Sequence, residues 1–135
     1  MGGHELLEHT ADVGIRATGA SLEEAFEQAT VGLAELLGAV RPGGGEPVAV
    51  TVRAPDLGAL LVDWLGETLW LAEVRQAALA GVRVDRVGGG QASGELRLRA
   101  GAGPADGTPV KAVTYHRLRV ERRPDGWLAE VYLDV

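Results

Sequence analysis

The stretch GVRVDRVGGGQASGELRLRA, residues 81–100, decides the fold. Its two halves, GVRVDRV and GELRLRA, alternate apolar positions with Arg or Asp, the period of two expected of strands with one buried face. The GGGQAS between them reads as a hairpin loop, because glycine is cheap where a chain must reverse. Two strands joined this way are antiparallel and need no crossover helix, so this part of the chain is not a βαβ unit.

Upstream lie two helical patterns. In SLEEAFEQATVGLAELLG (21–38), Leu22, Ala25, Phe26, Ala29, Leu33, Leu36 and Leu37 follow helical spacing, with Glu23, Glu24, Glu27 and Gln28 on the opposite side. Ser21 and Glu24 form a capping box, and Gly38 is placed to end the helix. After the turn-rich RPGGGEP comes VAVTVRA (48–54), a half-buried strand. Asp56 then opens a second helix whose buried stripe runs through Leu57, Leu60, Leu61, Trp64, Leu65, Thr68 and Leu69, with Asp63, Glu67 and Trp70 to one side.

Downstream, AGAGPADGTP (100–109) reads as a loop, and VKAVTYHRLRVE (110–121) and WLAEVYLDV (127–135) as strands joined across RRPDG, where Pro-Asp-Gly supplies a turn. With ADVGIRATG and the residues before it as two further strands, the order is β-β-α-β-α-β-β-β-β. That order predicts an α+β fold of two layers, a mostly antiparallel or mixed sheet with two long helices packed on one face. The length of 135 residues suits one domain, residues 1–135.

Composition narrows the chemistry. The chain has no cysteine, so any metal must be held by His, Asp, Glu or backbone oxygen, which points to a hard cation. A formal net charge of −6 argues against independent binding to a phosphate backbone and fits a basic protein partner or a cation. No leader-like or membrane-spanning apolar run is present, so the expected location is cytoplasmic.

Side-chain parity singles out two carboxylates. If ADVGIRATG is a strand, Val13, Ile15 and Ala17 face the core, and Asp12, Gly14, Arg16 and Thr18 face away. In the last strand Trp127, Ala129, Val131 and Leu133 share one side, and Glu130, Tyr132 and Asp134 the other. Asp12 then serves either as a local turn acid or as a ligand, and parity leaves both open. His9 has no second histidine at metal-ligand spacing. Lys111, Thr114 and His116 lie along the penultimate strand, where a solvated face is the plain alternative, and Asp63 sits beside the apolar stripe of its helix, toward a helix–sheet boundary. Nucleophilic catalysis has little support: the only serines are Ser21, a helix cap, and Ser93, in the hairpin.

Read together, HTADVGIRATG (9–19), SLEEAFEQATVGLAELL (21–37), LLVDWLGETLWLAE (60–73), KAVTYHRLRVE (111–121) and the terminal VYLDV (131–135) resemble the archease family, in order and over nearly the whole chain. The segment from Ala80 to Pro109 carries little of the family pattern. The resemblance implies a protein that is not itself an enzyme but a cofactor of the GTP-dependent RNA ligase RtcB, which acts in tRNA splicing and RNA repair. It implies promotion of the ligase's histidine guanylylation and multiple turnover, with RNA contacted indirectly if at all. It also implies a divalent-metal site, Ca²⁺ first and Mg²⁺ or Mn²⁺ as alternatives, held by Asp12 and Asp134 with the Val135 terminal carboxylate as a further oxygen donor. Lys111 would lie nearby as a cation, His9 would support Asp12, and His116 and Asp63 are weaker candidates. The competing expectations are a metal-dependent phosphoryl-transfer or hydrolytic enzyme, with Lys111 stabilising charge, and a chaperone-like protein.

Overall fold

The computed structural model describes residues 2–8, 12–38, 43–101 and 109–135. His9, the first two residues of RPGGGEP and residues 102–108 of AGAGPADGTP lie outside them. The elements are β1 (Gly3–Glu8), β2 (Asp12–Gly19), α1 (Leu22–Leu37), β3 (Glu46–Arg53), α2 (Leu57–Arg75), β4 (Ala77–Gly88), β5 (Gln91–Ala100), β6 (Ala112–Arg123) and β7 (Gly126–Asp134). The expected α+β order holds. The strands form two antiparallel sheets, one ordered β1-β2-β7-β6 and the other β3-β5-β4.

The deciding hairpin is β4–β5. Its loop is tighter than the sequence suggests: Gly88 pairs with Gln91, leaving only Gly89 and Gly90 in the turn, both at positive φ (61° and 75°). That geometry favours glycine and matches the twist of a two-residue hairpin, so Gln91, Ala92 and Ser93 are released into the strand.

Each helix packs on both sheets. α1 lies against β1, β2 and β7 of the first sheet and β4 of the second; α2 lies against β6 of the first and all three strands of the second. A single core results, in which Ile15, Phe26, Leu33, Leu61, Trp64 and Leu96 are fully buried. Where the helices meet, the Trp64 indole N–H donates to the Thr30 hydroxyl (2.9 Å), which itself donates to the Phe26 carbonyl (2.7 Å). The two buried polar groups therefore satisfy each other, as burial demands.

Both caps form as expected: Ser21 Oγ accepts from the Glu24 N–H (3.1 Å) and Asp56 Oδ1 from the Ala59 N–H (2.8 Å). The acidic side of α1, however, is not a solvated face. Glu27 accepts the Val84 N–H (2.8 Å) and Glu23 the Val87 N–H (2.9 Å), both from β4. β4 is an edge strand of its sheet with a register shift between Val84 and Arg86, and the two carboxylates occupy backbone donors that an edge leaves unpaired. Gln28 and Glu35 bind His4 of β1 from the same helix (3.2 and 2.7 Å). No helix among the described residues is long and apolar enough to cross a membrane.

Candidate functional site

The site is built on the face of the first sheet that points away from the buried row of Ile15, Ala17, Ala129, Val131 and Leu133. Asp12 begins β2, Asp134 ends β7, and the register makes them direct cross-strand partners. Parity alone separated both from the core; strand pairing puts two carboxylates 122 positions apart in sequence on one face, with Cβ atoms about 5 Å apart. Ala112 of β6 completes the row beside Asp134, and the Lys111 backbone N–H donates to the Asp134 carbonyl (2.8 Å). Lys111, the lysine singled out in the sequence, is thus placed next to Asp134 with an exposed side chain.

Like charges directly opposite each other in a sheet destabilise it. Asp12 Oδ1 adds a second cost: it is buried and, among the described residues, has no hydrogen-bond partner. An unsatisfied buried carboxylate oxygen is uncommon in a native fold, and it is what a carboxylate that accepts a cation looks like by itself. Asp134 is exposed, and Val135 is half-buried against the core. Among the described residues no three His, Asp or Glu side chains come together, so the pair offers two carboxylates and no third ionisable ligand beside them. Oxygen-only donors of this kind suit a hard divalent ion rather than a thiophilic one.

The neighbouring rows frame the pair. In the next row Tyr132 lies across Gly14, where a Cβ would sit 2.8 Å from the tyrosine ring. Beyond it Glu5, Arg16, Glu130 and Arg119 form a ladder of alternating charge over four strands, with Arg16 Nε 2.8 Å and Arg119 Nη2 3.2 Å from Glu130 Oε1 and Arg16 Nη1 2.8 Å from Glu5 Oε1. Burial pushes the Glu130 carboxyl up, but the hydrogen bonds from Arg16 and Arg119 outweigh it and hold the group below the ordinary carboxylate range.

Both Tyr132 (4% exposed) and Glu130 (5%) are buried on the face expected to be open. The cause is a large bulge in β6. Thr114 pairs with Tyr132 and Arg119 with Glu130, so residues 115–118 stand opposite the single residue Val131. Arg117 takes a left-handed φ of 53°, and its guanidinium lies over the Tyr132 ring (5.9 Å), while the His116 ring meets the same tyrosine edge-on (6.1 Å). The Thr114 hydroxyl anchors the bulge, donating to the Tyr132 carbonyl and accepting the His116 N–H. The even alternation read through VTYHRLRVE is therefore broken at Tyr115, and no single-sequence pattern marked the insertion.

Of the candidate residues, the structure brings together Asp12, Asp134 and Lys111, with His116 beside Tyr132, one row away, while Val135 follows Asp134 in the chain and packs its side chain against the core. His9 lies outside the described residues. Asp63 stands elsewhere, at a helix–sheet boundary as its position suggested, lining a depression with Val52, Arg53 and Val113.

Comparison with known proteins gives a consistent result. The model of the Archease protein family matches residues 4–135. The protein archease of Methanosarcina acetivorans is 36% identical over 141 residues, covering 98% of this chain and 95% of that one, and the protein archease of Thermococcus gammatolerans is 38% identical over 140 residues, covering 97% of each. Among solved structures, Methanobacterium thermoautotrophicum protein 1598 superposes with a TM-score of 0.80 at 29% identity, covering 98% of this chain and 99% of that one. A Thermotoga maritima archease, described as a possible chaperone, superposes with a TM-score of 0.68 at 26% identity, covering 97% and 96%. The matches span the whole of the fold described above, and the chain belongs to the archease family.

Proposed function

We propose that this chain is a metal-carrying activator of a GTP-dependent RNA ligase of the RtcB type, promoting guanylylation of the ligase histidine and its multiple turnover. The observation that supports this reading most is the cross-strand pair Asp12–Asp134 with the buried Asp12 Oδ1 left unsatisfied. In this reading Asp12 and Asp134 hold a divalent cation, Ca²⁺ or alternatively Mg²⁺ or Mn²⁺, with Val135 as a further oxygen donor. The cation would neutralise the facing carboxylates and present positive charge toward phosphate oxygens. Lys111, next to Asp134 and exposed, would extend that positive surface toward the same anionic groups. His9 would support Asp12, and His116, beside Tyr132, would border the site.

A hydrolytic or phosphoryl-transfer reading needs a general base converging on the metal. Among the described residues the carboxylate pair has no such neighbour, so the activator reading is preferred. The chaperone description attached to the Thermotoga relative gains no support from a broad apolar surface among the described residues, where the exposed large apolar side chains, Leu6, Trp70, Val74 and Tyr115, fall on three different elements.

Two measurements test the proposal. Thermal unfolding with Ca²⁺, Mg²⁺ and Mn²⁺ should show a rise in Tm for the parent, equivalent to about 2.7 kcal/mol at a hundredfold excess over Kd. The rise should vanish in Asp12→Asn and Asp134→Asn. Substoichiometric protein added to the RNA ligase of the same organism with GTP and Mn²⁺ should accelerate guanylylation over many turnovers. No acceleration would remove the ligase from the proposal, and an unchanged metal response in both variants would remove the site.

A further inference from the structure

One surface of α2 has no role in the fold or at the carboxylate pair. Asp63, Glu67, Trp70 and Val74 follow at i, i+4, i+7 and i+11, which confines them to about 60° of the helix circumference. Trp70 is 55% exposed and Val74 59%. The same helix buries Leu60, Trp64, Leu65 and Leu71, so apolar side chains surround nearly all of it. That is the pattern of a helix covered on every side, yet this side is open.

Alongside the stripe lies a shallow depression of about 440 Å³ between the two sheets' edge strands, lined by Val52 and Arg53 of β3, Val62, Asp63, Gly66 and Glu67 of α2, and Val113 of β6. Gly66 opens it further, since a Cβ there would meet nothing within 4 Å. Among the described residues neither Asp63 nor Glu67 has a hydrogen bond or an ion pair. The surface therefore offers two carboxylates without a partner among the described residues, one helical turn apart, above valine side chains, with the cation Arg53 at its β3 side and an exposed tryptophan next to it.

We infer that this stripe and depression dock a basic, amphipathic segment of a protein partner. Its Lys or Arg side chains meet Asp63 and Glu67, and its apolar side chains cover Trp70, Val74 and the valines. Two carboxylates against the single cation Arg53 leave the surface net acidic, which disfavours a nucleic-acid backbone as the occupant. The stripe from Asp63 to Val74 is about 16 Å long, the span of a three-turn helix or of about five extended residues. Exposed Trp with flanking polar groups is the composition of an interface anchor rather than of ordinary surface. None of Asp12, Asp134 or Lys111 takes part, so this inference and the metal reading stand or fall separately.

The test is an NMR titration of the ¹⁵N-labelled chain with a short peptide of alternating Lys and Leu, and with the same peptide carrying Glu for Lys. The Lys peptide should shift α2 signals together with those of Val52, Arg53 and Val113, and the Glu peptide should not. Trp70→Ala should weaken binding at least about tenfold, and Asp63→Asn with Glu67→Gln by about threefold, the latter loss shrinking at high salt. Unchanged melting of the variants confirms that they fold. Shifts centred on the Asp12–Asp134 rows, equal binding of the two peptides, variants that bind like the parent, or no binding each overturn the inference. Concentration-dependent broadening of the same α2 signals without peptide assigns the stripe to a second copy of the chain and overturns it as well.

Discussion

The two helices differ in what their acidic residues do. On α1, Glu23 and Glu27 accept backbone N–H groups of β4, Glu24 accepts the Ala20 N–H, and Glu35 binds His4, so each of these acids has a partner elsewhere in the chain. On α2, Asp63 and Glu67 have none among the described residues, and Trp70 and Val74 stand open beside them. In sequence the α1 acids lie opposite the buried stripe of their helix, whereas Asp63 lies beside the stripe of its own. The difference teaches that a carboxylate on a helix is structural where a sheet edge with unpaired donors lies within reach, and that the other helix keeps its acids for something outside the chain.

The largest effect should come from what the helices share. Trp64 is fully buried and its indole is bonded to Thr30, so Trp64→Ala should destabilise the fold by about 3–5 kcal/mol, read as a shift of the urea midpoint. A loss under about 1 kcal/mol would mean that the helices are not anchored in one core, and the contrast between them would lose its common ground. The contrast itself is tested by a matched pair. Glu27→Ala strands the Val84 N–H at a partly buried edge and should cost about 1–3 kcal/mol, whereas Glu67→Ala should change stability by no more than about 0.5 kcal/mol. Equal costs would show that position on the helix, and not the partner, governs both.

A smaller and equal effect is expected at the helix starts. Ser21→Ala and Asp56→Ala each remove a side-chain acceptor from one backbone N–H and should cost about 1 kcal/mol apiece in the same denaturation assay. Equality there would place the difference between the helices in their faces and not in their ends. A cost at Asp56 well above that at Ser21 would indicate that α2 relies on its cap to offset an uncovered side.

These caps were legible in the sequence because a cap is local: Ser21 and Asp56 act within three residues. So was the placement of Asp12 and Asp134 on the face away from the core, since side-chain parity needs only one strand. Their pairing was legible only through the family resemblance and not from either strand, because β2 and β7 meet across most of the chain and nothing in one strand specifies the other. The partition of seven strands into two sheets is hidden for the same reason. Glu23 and Glu27 were read as solvated because their partners are backbone donors of β4, which carry no side-chain signature. The β6 bulge escaped notice because left-handed backbone usually announces itself by glycine, and here it falls on Arg117. Its consequence, the burial of Glu130 and Tyr132 on an outer face, followed it out of sight.

The smallest prediction concerns pH and uses α1's contact with β1. Burial lowers the affinity of His4 for a proton, but hydrogen bonds to Glu35 and Gln28 and the charge of Glu35 outweigh it, and the pKa lies above its ordinary 6.5. Both partners offer oxygen, so the imidazolium, a donor at both nitrogens, is the form they favour. Because the folded pKa is raised, the stabilisation is fully present below about pH 6.5 and is lost as pH rises through the folded value. Glu35 is half exposed, which screens the pair and limits the effect to a few tenths of a kcal/mol. The urea midpoint should therefore fall slightly between about pH 6 and pH 8, beyond what the other groups contribute. Glu35→Gln should flatten that part of the slope, and Glu73→Gln on α2, where no partner is engaged among the described residues, should leave it as it is. A slope that survives Glu35→Gln would show that His4 gains nothing from α1, and one of the four acids that set α1 apart from α2 would have to be counted with the solvent-facing ones.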